Sequence, residues 1–136
     1  MTRIKIMLAM VLMFAAALLG GCQASDKPEK ANDLDFTVVA EQETPQELKG
    51  LIEERKTSPF KLTYSDEADL YLVVGYGEQK TGGYSVQVKD IYLTKDSIYL
   101  NTELLGPDSK ERVTESPSYP YIVIKIQYRE EPVIFE

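Results

Sequence analysis

The sequence has 136 residues, 22 acidic side chains against 15 basic ones, a net charge of −7, one cysteine, and no histidine or tryptophan. Without histidine the chain lacks a Ser-His-Asp or Cys-His catalytic pair and a histidine zinc ligand, and one cysteine permits no internal disulfide. The length favours a single domain, and the acidic excess disfavours nucleic acid and anionic lipid head groups as partners.

The amino terminus has the pattern of an export signal. Arg3 and Lys5 precede an uninterrupted apolar run at residues 6–19. As a helix this run spans about 21 Å, short of the roughly 30 Å of a bilayer's hydrocarbon core, so the pattern favours a signal peptide over a membrane-spanning anchor. The run ends in the residues LGGC at positions 19–22, which resemble the lipobox of bacterial lipoproteins.

The lipobox resemblance implies a signal peptide at residues 1–21, cleavage before Cys22, and lipid transfer to the Cys22 sulfur. Two or three acyl chains hold a protein stably on a membrane, whereas one does not. The alternative is an ordinary secreted protein with an unpaired thiol. Residues 22–33 are polar or small, which is typical of a flexible tether, and we expect the folded domain at residues 34–136. The expected location is the extracytoplasmic face of the cell membrane, with the lipid bilayer as a partner through acylated Cys22.

The first elements of the domain are a strand and a helix. Apolar residues at alternate positions predict a short strand with one buried face, formed by Leu34, Phe36, Val38 and Ala40. Thr44, Pro45 and Glu47 then fit a helix cap, a first helical position and a capping box. The predicted helix has an apolar stripe and ends before Pro59; the stripe consists of Leu48, Leu51 and Ile52. We expect it to pack across a sheet or to plug one end of a barrel.

From residue 60 onwards the patterns are typical of β-structure. Alternation predicts strands near 60–64, 84–93, 98–104, 121–128 and 133–135, and residues 70–76 are apolar on both faces, as in a central strand. A bulge near Lys89-Asp90 would bring the apolar residues before and after it to one face, and residues 106–117 form a long polar loop. We predict an all-β to β-rich α+β domain, an antiparallel sandwich or partly open barrel of six or seven strands with one packed helix.

The most informative segment is residues 77–84, with the sequence GEQKTGGY. Adjacent glycines permit a positive φ or a close backbone approach, and a threonine hydroxyl can bond the turn. Two interpretations stay open: a bulged hairpin connection, or a binding loop that offers its backbone groups to another chain. The candidate protein-binding residues are Gly77, Glu78, Thr81, Gly82, Gly83 and Tyr84.

The order of segments around this turn resembles the PrcB C-terminal domain family, the protease complex subunit PrcB-like bacterial lipoproteins. The matching segments are Leu72-Val73-Val74, Gly77-Glu78, Thr81-Gly82-Gly83-Tyr84, Leu105-Gly106-Pro107, Ser116-Pro117 and residues 120–126. The resemblance covers residues 60–126 and implies an exported lipoprotein with this β-rich domain. It also implies one founding member that stabilises a surface protease complex, while most members have no known activity.

Together these patterns favour a membrane-anchored, non-catalytic protein-interaction module. Its expected partner is an exported or envelope protein, with a protease complex as the candidate that the family resemblance supplies. One alternative is a small-molecule or cell-wall-fragment binder that uses the tyrosines. Another is a chagasin-like peptidase inhibitor, although the Asn-Pro of those inhibitor loops is replaced here by Gln79-Lys80. We expect no catalytic residues, no cofactor and no metal site, and we interpret the acidic clusters as solvated turns.

Overall fold

The computed structural model describes residues 30–136. The expected signal peptide at 1–21, Cys22 and most of the predicted tether at 22–33 lie outside the described residues. Of the helices that are described, none has both the length and the apolar character required to cross a bilayer.

The described residues form two four-stranded sheets that face each other. The first sheet has the strand order β1-β5-β6-β8 and the second β2-β7-β4-β3. The strands are β1 (Asn32–Asp33), β2 (Thr37–Val38), β3 (Pro59–Ser65), β4 (Asp69–Tyr76), β5 (Ser85–Leu93), β6 (Ile98–Leu105), β7 (Tyr121–Gln127) and β8 (Val133–Phe135). Paired strands run antiparallel, except that β8 lies parallel to β6. The predicted sandwich with one helix is confirmed, and the very short β1 and β2 bring the strands to eight in this part of the chain.

The main core lies between the two sheets. Its buried residues come from β4 and β7 on one side and from β5 and β6 on the other: Leu70, Leu72, Val74, Ile122, Ile124, Ile126, Ile91, Ile98 and Leu100. β4 pairs with β3 on one edge and with β7 on the other. The predicted central strand at 70–76 is therefore confirmed, because a strand in this position is covered on both faces and both edges.

A second core lies under the helix α1 (Gln46–Arg55), on the outer face of the second sheet. Leu48 and Ile52 are buried there, as the helical spacing predicts. The expected capping box is wrong: the Thr44 hydroxyl donates to the Ala40 carbonyl at 3.0 Å, and the Glu47 carboxylate accepts a bond from the Tyr64 hydroxyl at 3.1 Å. The helix packs across a sheet, and Glu47 joins it to β3 instead of closing its own first turn.

The strand predicted over residues 34–40 is also wrong. Asn32–Asp33 pairs with β5 of the first sheet, whereas Thr37–Val38 pairs with β7 of the second, so the chain crosses between sheets at residues 34–36. This crossing interrupts the alternation, leaving Val38 58% exposed while Val39 packs under the helix. Strand pairing begins at Asn32, inside the segment predicted as tether.

The irregularity predicted in β5 is confirmed. The register with β6 shifts between Val88 and Asp90, which leaves Lys89 as the extra residue. Val88 and Ile91 can therefore both face the main core, although they are three positions apart and regular alternation would place them on opposite faces.

Candidate protein-binding site

The loop at residues 77–84 lies against the long loop at residues 106–120. Gln79 and Ser118 form an isolated antiparallel bridge, with N–H groups donating to the opposite carbonyls at 2.8 and 3.0 Å. The Ser118 hydroxyl donates to the Thr81 carbonyl at 2.6 Å, and the Gly82 N–H donates to the Thr114 carbonyl at 2.8 Å. The two loops thus form one hydrogen-bonded unit at one end of the sandwich.

Two glycines of this loop have a structural requirement. Gly83 has φ +87° and Gly77 has φ +76°, values that residues with a side chain rarely adopt. A Cβ at Gly83 would lie 2.8 Å from Val113 Cγ1 and 2.9 Å from Pro107 Cβ. Glycine therefore permits the left-handed backbone at positions 77 and 83, and at position 83 it also permits a close approach to the 106–120 loop.

Several backbone groups of the turn are hydrogen-bonded within the chain. The Gly82 N–H and the Thr81 carbonyl bond to the 106–120 loop, and the Gly82 carbonyl accepts a 3.0 Å bond from the Thr81 hydroxyl. Glu78 is occupied as well, because its N–H donates to the Thr57 carbonyl and its carboxylate accepts from the Tyr119 hydroxyl at 3.3 Å. These contacts bind the tip of the loop to the rest of the fold. The hairpin interpretation is wrong, because the loop joins β4 of the second sheet to β5 of the first.

Tyr84 differs from the other five candidate residues because it reaches a groove. Its ring lies against Gly106 on one side. On the other side it lines an opening of about 360 Å³ between the first residues of β5 and β7. We call this opening the β5–β7 groove; its lining residues are Val38, Val39, Glu41, Tyr84, Ser85, Val86, Pro120, Tyr121, Ile122 and Val123.

The groove exists because β1 and β2 are too short to cover their neighbours. β1 pairs only with Tyr92 and Leu93, and the Leu34 N–H extends this cover to the Ile91 carbonyl. On the facing strand, β2 and the Val39 N–H together cover only residues 123–125. Within the described residues, the first part of β5 thus has a strand neighbour on one edge alone, and unpaired edges of this kind accept added strands.

Charge at the groove is acidic. Glu41 is the charged residue among those lining it, and Tyr121 lies close enough that Glu41 and Glu53 affect its ionisation. Burial is the largest cause that raises the pKa of Tyr121; these two carboxylates raise it further, and the nearby ammonium of Lys56 partly opposes them. Tyr121 lines the groove, and its ring also packs against the core under the helix.

The sequence patterns did not point to Val38, Glu41 or Tyr121 as part of a site. Alternation predicts a buried face for Val38 and an ordinary strand start for Tyr121. No local pattern identifies them, because the groove arises where two strands from different sheets begin side by side.

The tyrosines are spread over the domain and do not form one platform. Tyr64 and Tyr71 lie on the helix side of the second sheet, whereas Tyr92 and Tyr99 stack at 5.4 Å on β5 and β6. The hydroxyl of Tyr76 reaches across the core to Thr102 at 2.7 Å. Among residues 30–136, no three acidic or cysteine side chains are grouped as a metal ion would require.

Comparison with known proteins gives one family. Residues 70–127 match the family model described as PrcB C-terminal, a segment that runs from β4 to the end of β7 and contains the whole 77–84 loop. No curated protein and no solved structure matches the chain significantly. This match supports the family expected from the order of segments: residues 70–127 are similar to the PrcB C-terminal family.

Proposed function

We propose that this protein is a membrane-anchored, extracytoplasmic lipoprotein whose PrcB-like domain is a non-catalytic protein-interaction module. Acylated Cys22 would hold it on the bilayer, and the domain would act as an accessory or stabilising subunit of an exported protease complex. The observation that carries the interaction proposal is the β5–β7 groove, where Tyr84 of the 77–84 loop lies beside an unpaired strand edge.

The groove suits an extended segment of a partner protein. A peptide that adds to the free part of β5 gains main-chain hydrogen bonds, and alternate side chains of that peptide point into the groove. Val38 and Val86 offer apolar contact there, and Glu41 favours a basic residue in the peptide. The 77–84 loop supports this edge from one end through its bonds to the 106–120 loop.

The other functions that the sequence left open have less support. An aromatic platform for small molecules needs tyrosines that converge, and those of this domain lie on different faces of the two sheets. A peptidase inhibitor of the chagasin kind needs a free glycine loop, and here the turn is bonded to residues 114 and 118.

The proposal is tested by capture of a partner in the native cell. The full chain with Val38→Glu is compared with the unsubstituted chain after crosslinking and mass spectrometry. Val38 is 58% exposed and lines the groove, so a carboxylate should prevent an apolar segment from docking while leaving the fold intact. We expect the crosslinked envelope protein to fall at least tenfold.

Ile134→Glu is the matched control. Ile134 is also an exposed aliphatic residue of a short edge strand, at 38% exposure, but it belongs to β8 outside the groove. Capture should be unchanged in this variant. Equal loss in both variants, or no loss with Val38→Glu, would contradict the groove as the docking site. Turnover of any substrate by the purified protein would contradict the non-catalytic part of the proposal.

A further inference from the structure

A second opening lies on the side of the sandwich opposite to β1 and β2. It has a volume of about 330 Å³ and is lined by Pro59, Phe60, Lys61, Val74, Gly75, Tyr76, Thr102 and Glu136. We call it the β3–β6 cleft. None of its residues lines the β5–β7 groove, so it is independent of the function proposed above.

The cleft arises from the length of β8. β6 continues to Leu105, whereas its pairing with β8 ends at Leu100 and Phe135, followed by one bond from the Glu136 N–H to the Leu100 carbonyl at 2.9 Å. Beyond that point Thr102 has no described strand neighbour on this edge. The two sheets therefore stay open between β3 and the end of β6.

The interior of the cleft is apolar with a fixed polar point. Pro59 and Val74 contribute apolar surface, whereas the ring of Phe60 packs against the second core on the other face of the sheet. The Tyr76 and Thr102 hydroxyls are hydrogen-bonded to each other at 2.7 Å, which fixes the positions of both oxygens. One hydroxyl hydrogen and further lone pairs stay available for a ligand. A mostly apolar pocket with a few convergent polar groups is the usual form of a small-molecule site, and this volume lies at the lower end of the roughly 300–1,000 Å³ range.

Two opposite charges line the cleft without neutralising each other. Lys61 and Glu136 are both exposed, and neither forms an ion pair with another residue in the 30–136 range. The Lys61 ammonium lies 5.9 Å from the centre of the Phe135 ring, on the β8 side of the opening. A ligand that carries both a carboxylate and an ammonium group would give each of these side chains a partner of opposite charge.

We propose that the β3–β6 cleft binds a small zwitterion with an apolar body, of the amino-acid or short-peptide class. Its carboxylate binds Lys61, its ammonium group binds Glu136, and its apolar side chain packs against Pro59 and Val74. The hydroxyl pair of Tyr76 and Thr102 provides the remaining hydrogen bonds.

The test is calorimetric titration of the full chain, purified in detergent, with L-leucine, Leu-Leu and Leu-Leu-Leu. N-acetyl-leucine keeps only the carboxylate and leucinamide only the ammonium group, so these are the single-charge controls. We expect at least one zwitterion to bind at least tenfold more tightly than both controls. The length of the tightest ligand then distinguishes a free amino acid from a peptide.

Substitution locates the site. Lys61→Met and Glu136→Gln should each weaken binding at least tenfold, and Lys61→Arg should retain it because the positive charge remains. Lys95→Met and Glu67→Gln are matched controls in exposed turns outside the cleft and should have no effect. The proposal would be overturned if none of the three zwitterions bound, or if N-acetyl-leucine or leucinamide bound equally well. It would also be overturned if Lys61→Met and Glu136→Gln left the binding affinity unchanged. Failure of the Val38→Glu experiment leaves this result unaffected, because the two openings share no residue.

Discussion

The adjacent glycines at 82 and 83 allow a direct test of what the turn does. Gly83 has a positive φ and would place a Cβ 2.8 Å from Val113 and 2.9 Å from the ring of Pro107. Gly82 has no positive φ, and its nearest neighbour to a Cβ would be Thr114 at 3.5 Å, an ordinary van der Waals distance. Alanine should therefore be costly at one position and harmless at the next.

The magnitude follows from two contributions. A residue with a side chain in a left-handed conformation costs about 1–2 kcal/mol. Forcing a methyl group into an occupied space costs about 1–3 kcal/mol more, and the rigid ring of Pro107 cannot rotate away. Gly83→Ala should thus lower the free energy of unfolding by roughly 2–5 kcal/mol. Gly82→Ala should leave it unchanged or raise it by up to about 1 kcal/mol, because alanine restricts the unfolded chain.

The assay is urea unfolding of the full chain followed by circular dichroism. With a slope of about 1–3 kcal/mol per molar urea, a loss of 3 kcal/mol lowers the midpoint by roughly 1 M or more, while Gly82→Ala keeps the original midpoint. A Gly83→Ala variant within about 0.5 kcal/mol of the original chain would refute the packing argument for this turn. If the prediction holds, a substitution at Gly83 reports on folding, and Tyr84 and Val38 are the positions that report on binding.

Two further predictions concern side chains of the sandwich. Thr102→Val should destabilise the fold by about 1–3 kcal/mol, because it leaves the part-buried Tyr76 hydroxyl without its 2.7 Å partner. Adding Tyr76→Phe should recover part of this loss in free energy of unfolding. Additive effects of the two substitutions in this double-mutant cycle would contradict the coupling. The pKa of Tyr71 is raised above its usual value of 10, first by burial and then by the nearby carboxylates of Asp66 and Asp69, with Lys125 partly opposing the rise. As pH rises, this tyrosine ionises in the unfolded chain before it ionises in the folded one, so stability should fall from pH 10 toward the higher folded-state pKa. Tyr71→Phe should reduce this fall, measured by urea unfolding at pH 9 and pH 11. An unchanged pH dependence in the variant would contradict the role of Tyr71.

The sequence by itself determined the β-rich class, the helix, the central strand at 70–76 and the bulge at Lys89. These features follow from local periodicity, since side-chain spacing along one element reports which face of that element is buried. The family resemblance was equally accessible, because the order of segments from 72 to 126 is a property of the chain and not of its folding.

Tertiary structure alone decided how the edges of the sheets are covered. The sequence predicts one alternating strand over residues 34–40, after a tether. Instead, β1 and β2 pair with different sheets, and this division leaves the free edge of β5 and exposes Val38. In the same way, the short pairing of β8 with β6 opens the cleft between Lys61 and Glu136. Both openings bring together residues that are far apart in the chain, and periodicity cannot predict this because it describes one element at a time.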